Sequence, residues 1–127
     1  MSQPSTAGLL PSKIQGFLSG IASIAPNAEQ VLAALVATSP GMIRSVACYC
    51  QGSSGSTPTI IDVRNNGVSV YTDPASRPTL AGGATGKFTS TLPNHRAVRI
   101  GDVLSAVCAQ AGGHAGVIAT VALEEPS

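Results

Sequence analysis

The sequence predicts an all-β protein: a single antiparallel β-sandwich, jelly-roll-like, of about seven or eight strands, with an extended N-terminal arm. Three observations carry that expectation. Turn residues recur at intervals of about eight to twelve positions, the spacing of a sandwich or barrel. They stand at Ser39-Pro40-Gly41, Gly52 to Gly55, Asn65-Asn66-Gly67, Asp73-Pro74, Gly82-Gly83, Pro93-Asn94, Gly101-Asp102 and Gly112-Gly113. An Asn66-Gly67 pair joins two strand-like segments, and Asn-Gly accepts the positive φ angles of a type I′ hairpin turn. Finally, 127 residues with 43% apolar and 10% charged positions suit one folded core. Phe17, Phe88, Tyr49 and Tyr71 are the only aromatic residues, so Val, Ile, Leu and Ala must fill the interior.

In chain order, residues 1–28 carry Pro4, Pro11 and Pro26 and one apolar stretch, Ile14 to Ile24. Gly16 and Gly20 interrupt it, each weakening a helix by about 1 kcal/mol relative to Ala, so the stretch reads as extended or irregular. These residues form the expected arm, and residues 29–127 the expected sandwich domain. Glu29 to Ala37 contains strong helix formers, but Ser39-Pro40-Gly41 turns it straight into a clear strand, and a strand is expected there too. Further strands are expected at Ile43 to Cys50, Thr59 to Arg64, Val68 to Thr72, Lys87 to Thr91, Ala97 to Ile100, Val103 to Ala109 and Val117 to Leu123.

Seven basic and six acidic residues leave a net charge of +1, and the basic positions are scattered, only Arg96 and Arg99 lying close together. Nucleic-acid affinity grows with the number of phosphates neutralised, and no basic run or interleaved aromatics exist here. The longest apolar runs fall far short of the roughly 20 residues of a membrane span. The start, MSQPSTAGLLPSK, has no basic residue ahead of its leucines and no sustained apolar stretch. It does not read as a signal peptide, and synthesis in a cytoplasm is expected.

Motifs for chemistry are poorly supplied. Gly82 to Phe88 resembles a phosphate-cradling loop, but Ala81 stands where that loop needs Gly and Phe88 where it needs Ser or Thr. It reads as a mobile glycine-rich connection between strands. Asp62, Asp73 and Asp102 occupy ordinary positions for turn-capping carboxylates, and no G-x-S-x-G elbow exists; Gly52 to Ser56 reads as a flexible loop. Cys48, Cys50, Cys108 and His114 are of types that bind zinc, but C-x-C on a strand is not the C-x2-C turn of structural sites. The thiols are expected to fill a core poor in large residues, and no cofactor is expected. His95 and His114 neighbour turn residues and are expected at the surface.

The order PTIIDVRNNGVSVYTD, then RPTLAGG, then RIGDVLSAVCAQAGGHAGVIATVAL resembles a β-sandwich module recurrent in virion proteins of tailed bacteriophages. The module has a strand ending D-[IV]-x-x-N-G, a second strand, an R-x-T-[IL]-A-x-G segment, and G-D-x-L before the last long hairpin. The resemblance spans about residues 43 to 123, through Asp62, Val63, Asn66, Gly67, Arg77, Thr79, Leu80, Ala81, Gly83, Gly101, Asp102 and Leu104.

That resemblance implies a non-enzymatic structural protein of the phage particle. Capsid decoration, or cement, is the expected role: a homotrimer bound to the head, with the major capsid protein as its partner. The turn residues Asn66, Gly67, Gly101 and Asp102 are then structural. In the arm, Leu9, Leu10, Ile14, Phe17, Leu18 and Ile21 are expected to dock on an adjacent protomer or on the major capsid protein, offsetting the cost of ordering the segment. Cys50, at a strand end beside a mobile loop, is the candidate for an inter-subunit disulfide once particles leave the reducing cytoplasm. A head-fibre or tail-fibre module that binds a receptor or carbohydrate is the alternative, and exposed aromatics on loops would mark it. A metal-dependent enzyme is a third reading.

Overall fold

Along Val117–Glu124 every second side chain is buried, Val117, Ala119, Val121 and Leu123 alternating with partly exposed neighbours. That period of two is the geometry of a strand with one face on a core. A computed structural model describes residues 14–21, 27–53, 55–83, 85–86 and 88–124. Within it the strands are β1 (Ile14–Ile21), β2 (Gln30–Val36), β3 (Gly41–Tyr49), β4 (Gly52–Ser53), β5 (Thr59–Asn65), β6 (Val68–Ser69), β7 (Thr79–Leu80), β8 (Phe88–Thr91), β9 (Ala97–Val98), β10 (Val103–Gln110), β11 (His114–Ala115) and β12 (Val117–Glu124). Among the described residues one 3-10 turn, Pro74–Ser76, is capped by the Asp73 carboxylate.

Two five-stranded antiparallel sheets result. The first runs β1-β12-β3-β8 with β9 also on β3; the second runs β2-β10-β5-β6 with β7 also on β5. Leaving aside β7 and β9, which lie off the main paths, and the separate β4–β11 pair, eight principal strands remain, β6 being only two residues long. In chain order they pair first-eighth-third-sixth in one sheet and second-seventh-fourth-fifth in the other. This first-with-last nesting is the jelly roll. Both sheets contribute to the core: Ile43, Val46, Val121 and Leu123 from one meet Val63 and Leu104 from the other. Towards the opposite end, Cys48, Val117 and Ala119 meet Ile61, Leu80 and Ala106. Tyr71 also reaches into the first cluster, and the buried thiols of Cys48 and Cys50 serve as small apolar fillers in the second.

The expected sandwich is therefore the observed fold, and Glu29 to Ala37 does supply a strand, β2. Three local expectations need correction. The sheet begins before the expected boundary at residue 28, because β1 pairs with β12 over eight consecutive residues without a register shift. Register places Phe17 opposite Val121 and Ile21 opposite Val117, the extended form expected of this stretch. Leu9 and Leu10 lie outside the described residues. Val68 to Thr72 is strand only at Val68–Ser69, since the chain then leaves β5 and rejoins it at β7. Gly52–Ser53, expected in a flexible loop, pairs with His114–Ala115.

Candidate functional site

One end of the sandwich is built from three connections, β2 to β3, β5 to β6, and β8 to β10. Between β5 and β6, Asn66 (φ 52) and Gly67 (φ 86) form the expected turn with two positive φ angles. Asn66 then locks to the start of β10. Its backbone N–H donates to Val103 O (2.8 Å), its Oδ1 accepts from the Val103 N–H (2.9 Å), and its Nδ2 donates to Asp102 Oδ1 (3.0 Å). Asp102 Oδ2 accepts from the Arg99 backbone N–H (2.9 Å) and from Asn65 Nδ2 (3.0 Å). These donors hold the Asp102 carboxyl below its usual value, the Arg99 N–H contributing most. Ala37 closes the ring through bonds to Asp102 O and from the Gly101 N–H. The Asn-Gly end of D-[IV]-x-x-N-G and the Asp of G-D-x-L are thus two halves of one joint.

Around this joint the surface is apolar. Val36 and Val103 are direct register partners across β2 and β10, 56% and 42% exposed. Ile100, Val68 and Met42 extend the exposed apolar surface around the same loops. Beside it opens a groove of about 860 Å³, lined by Met42, Val68, His95, Arg96 and Arg99 and floored by the Asn65-Asn66-Asp102 joint.

A second network covers the outer face of β5. Asp62 is fully buried, yet it points away from the core, where its Oδ1 accepts from Ser69 Oγ (2.7 Å) and its Oδ2 from Arg64 Nε (3.1 Å). Arg77 Nε approaches Asp62 Oδ1 at 3.2 Å, an ion pair whose N–H is not aligned for a hydrogen bond. Arg64 also grips Glu29 with both terminal nitrogens, at 2.9 and 3.2 Å, which holds the Glu29 carboxyl low. The carboxylate expected to cap a turn instead ties the excursion between β6 and β7 to the sheet.

At the opposite end, His114 is fully buried, contrary to the surface position expected for it. Its Nε2 lies 2.7 Å from Ala81 O, so that nitrogen carries the proton, and Nδ1 accepts from Thr59 Oγ1 at 2.6 Å. Thr59 Oγ1 in turn accepts from the Gly112 N–H. The chain joins three loops, and there is no room for a β-carbon at Gly82 against Ser56 or at Gly112 against Thr57. Gly82, expected in a mobile connection, thus permits close backbone packing instead.

Cys48, Cys50 and Cys108 are all buried, and burial pushes the Cys48 thiol up to about 12. The inter-subunit disulfide expected at Cys50 needs an accessible sulfur, and this fold encloses it. Among the described residues no three His, Cys, Asp or Glu side chains are grouped to hold a metal ion. Tyr71 is buried, its hydroxyl 2.8 Å from Thr91 Oγ1 of the other sheet. His95 is exposed, as expected. Among the described residues no helix is long and apolar enough to cross a membrane.

The jelly roll is the fold of viral shell proteins, lectin domains and cupins alike. No protein-family model matches this chain, and no curated protein matches it. Among solved structures it is similar to a chain of the capsid of Ralstonia phage GP4, at TM-score 0.52 and 14% identity over 91% of this chain and 85% of that one. It is also similar to a chain of the cyanophage Pam1 capsid asymmetric unit, at TM-score 0.56 and 13% identity over 92% and 88%. The likeness is one of fold and spans nearly the whole of each chain.

Proposed function

We propose that the protein is a structural component of a bacteriophage particle, a capsid decoration protein that binds the head surface as a homotrimer. The observation that carries this reading is the fold, a complete jelly roll shared over more than nine-tenths of its length with chains of two phage capsids. Its surface agrees. Val36, Val103, Ile100, Val68 and Met42 form exposed apolar area beside a rigid joint, which suits contact with protein rather than chemistry on a small molecule. The mechanism is linkage: copies that bind the assembled shell and not its open or broken forms stabilise it in proportion to occupancy. The major capsid protein is the partner, the virion the location, and no cofactor takes part.

The β1 segment, with Ile14, Phe17, Leu18 and Ile21, lies at a sheet edge, where the subunits of a trimer can meet. A receptor- or carbohydrate-binding fibre module would need exposed aromatics, and Tyr71 is buried. Light scattering of the purified protein should report three chains, and the protein should co-sediment with heads of its phage. A Val36→Asp, Val103→Asp variant should fold yet lose one or both. A wild-type protein that stays monomeric and ignores heads overturns the proposal.

A further inference from the structure

The groove beside the Asp102 joint has a charge pattern of its own. Arg44, Arg64 and Arg77 each face a carboxylate, at 3.9, 2.9 and 3.2 Å respectively. Arg96 and Arg99, which line the groove, form no salt bridge among the described residues. The one carboxylate at the groove floor, Asp102, is already occupied by Asn65, Asn66 and the Arg99 N–H. His95 also lines the groove, and Met42 and Val68 supply an exposed apolar wall, 46% and 69% accessible. Two guanidinium groups that form no salt bridge, with Asp102 feeling the Arg99 charge only at a distance, stand beside exposed apolar surface and complement a carboxylate carried on a chain with apolar neighbours.

We infer that this groove binds an acidic peptide segment with interspersed apolar residues, presented by the protein to which this one attaches. The inference deepens the virion reading by naming the chemistry of the partner. A volume of about 860 Å³ is near the top of the range for ligand pockets and exceeds what a single carboxylate fills. Nucleic acid is the poorer fit. Two guanidinium groups neutralise few phosphates, and no Phe, Tyr or Trp lines the groove for bases to stack on. The joint beneath is pre-organised, so binding costs little ordering on this side.

The test uses the full chain and an acetylated, amidated hexapeptide of alternating Glu and Leu, followed by calorimetry and by backbone NMR shifts. Binding should weaken several-fold between 50 and 200 mM salt, on the scale of charge screening. It should fall at least tenfold in Arg96→Gln, Arg99→Gln, whose fold should be checked by its melting temperature, since Arg99 is exposed and Arg96 half-buried. Shift changes should concentrate at residues 94–99 and 66–68. A Gln-for-Glu peptide that binds equally well, an unaffected double variant, shifts confined to other surfaces, or tighter binding of an oligothymidylate each overturns the inference. Peptide binding without head attachment overturns only the virion reading; head attachment without peptide binding overturns only this one.

Discussion

Arg77 Nε lies 3.2 Å from Oδ1 of Asp62, joining the R-x-T-L-A segment to the strand that carries D-V-x-x-N-G. Asp62 is 1% exposed at its side chain and Arg77 is 22% exposed, so the carboxylate is the more deeply committed partner. Asp62 accepts from Ser69 Oγ and Arg64 Nε and faces Arg77 at once, so its loss removes three polar contacts together, at about 1 kcal/mol each. Asp62→Ala should therefore lower stability by about 3 kcal/mol in urea unfolding. Arg77→Ala should cost about 1 kcal/mol, because solvent screens its side and Ser69 and Arg64 still serve the carboxylate. Equal and small losses for both variants would show that the excursion between β6 and β7 is not held by Asp62.

Gly67 has φ 86 and its β-carbon would meet nothing within 4 Å, so backbone conformation alone penalises a side chain there. Gly67→Val should cost about 1 to 3 kcal/mol of local strain, read as a lower melting temperature and yield. Gly67→Asn, a residue that tolerates positive φ, should recover most of the loss. An unchanged melting temperature for the valine variant would mean that the turn is not type I′.

Acid should loosen the same joint. The Asp102 carboxyl titrates below its ordinary 3.8 in the folded chain, so its stabilising effect is present above about pH 3.8 and is lost as pH falls through the lower folded value. Glu29, held low by Arg64, follows the same sign. Unfolding free energy measured against pH should fall on the acid side, and Asp102→Asn should flatten part of that fall. An identical acid limb in the variant would contradict the hub role of Asp102.

Thiol chemistry should be silent in the folded state. Cys48 is pushed up to about 12 and Cys108 also upward, both mainly by burial, so neither is a thiolate at neutral pH. Cys50 is enclosed as well. Ellman's reagent should titrate three thiols in denaturant and close to none without it, and non-reducing electrophoresis of intact particles should show no band that disappears in Cys50→Ser. Such a band would restore the cross-link that burial argues against.

Those parts of the fold with a local code were legible in the sequence. The Asn66-Gly67 hairpin was, because positive φ at two successive positions is a demand few dipeptides meet. So was β2, because Ser39-Pro40-Gly41 leaves no room for a helix to end. What escaped is non-local. Nothing near Gly16 and Gly20 announces that β12 will pair with them, and nothing near His114 announces Thr59 and Ala81 as partners. The groove was half legible: Arg96 and Arg99 stood out as adjacent charges, but their want of carboxylate partners is a property of the folded surface.

The central claim is that this chain is built into a phage particle at its head. Mass spectrometry of gradient-purified virions, with heads and tails separated before digestion, tests it most directly. The account predicts peptides of this protein in the head fraction, at a copy number that is a multiple of three per assembled site. Their absence from virions, or their recovery in the tail fraction alone, would contradict it.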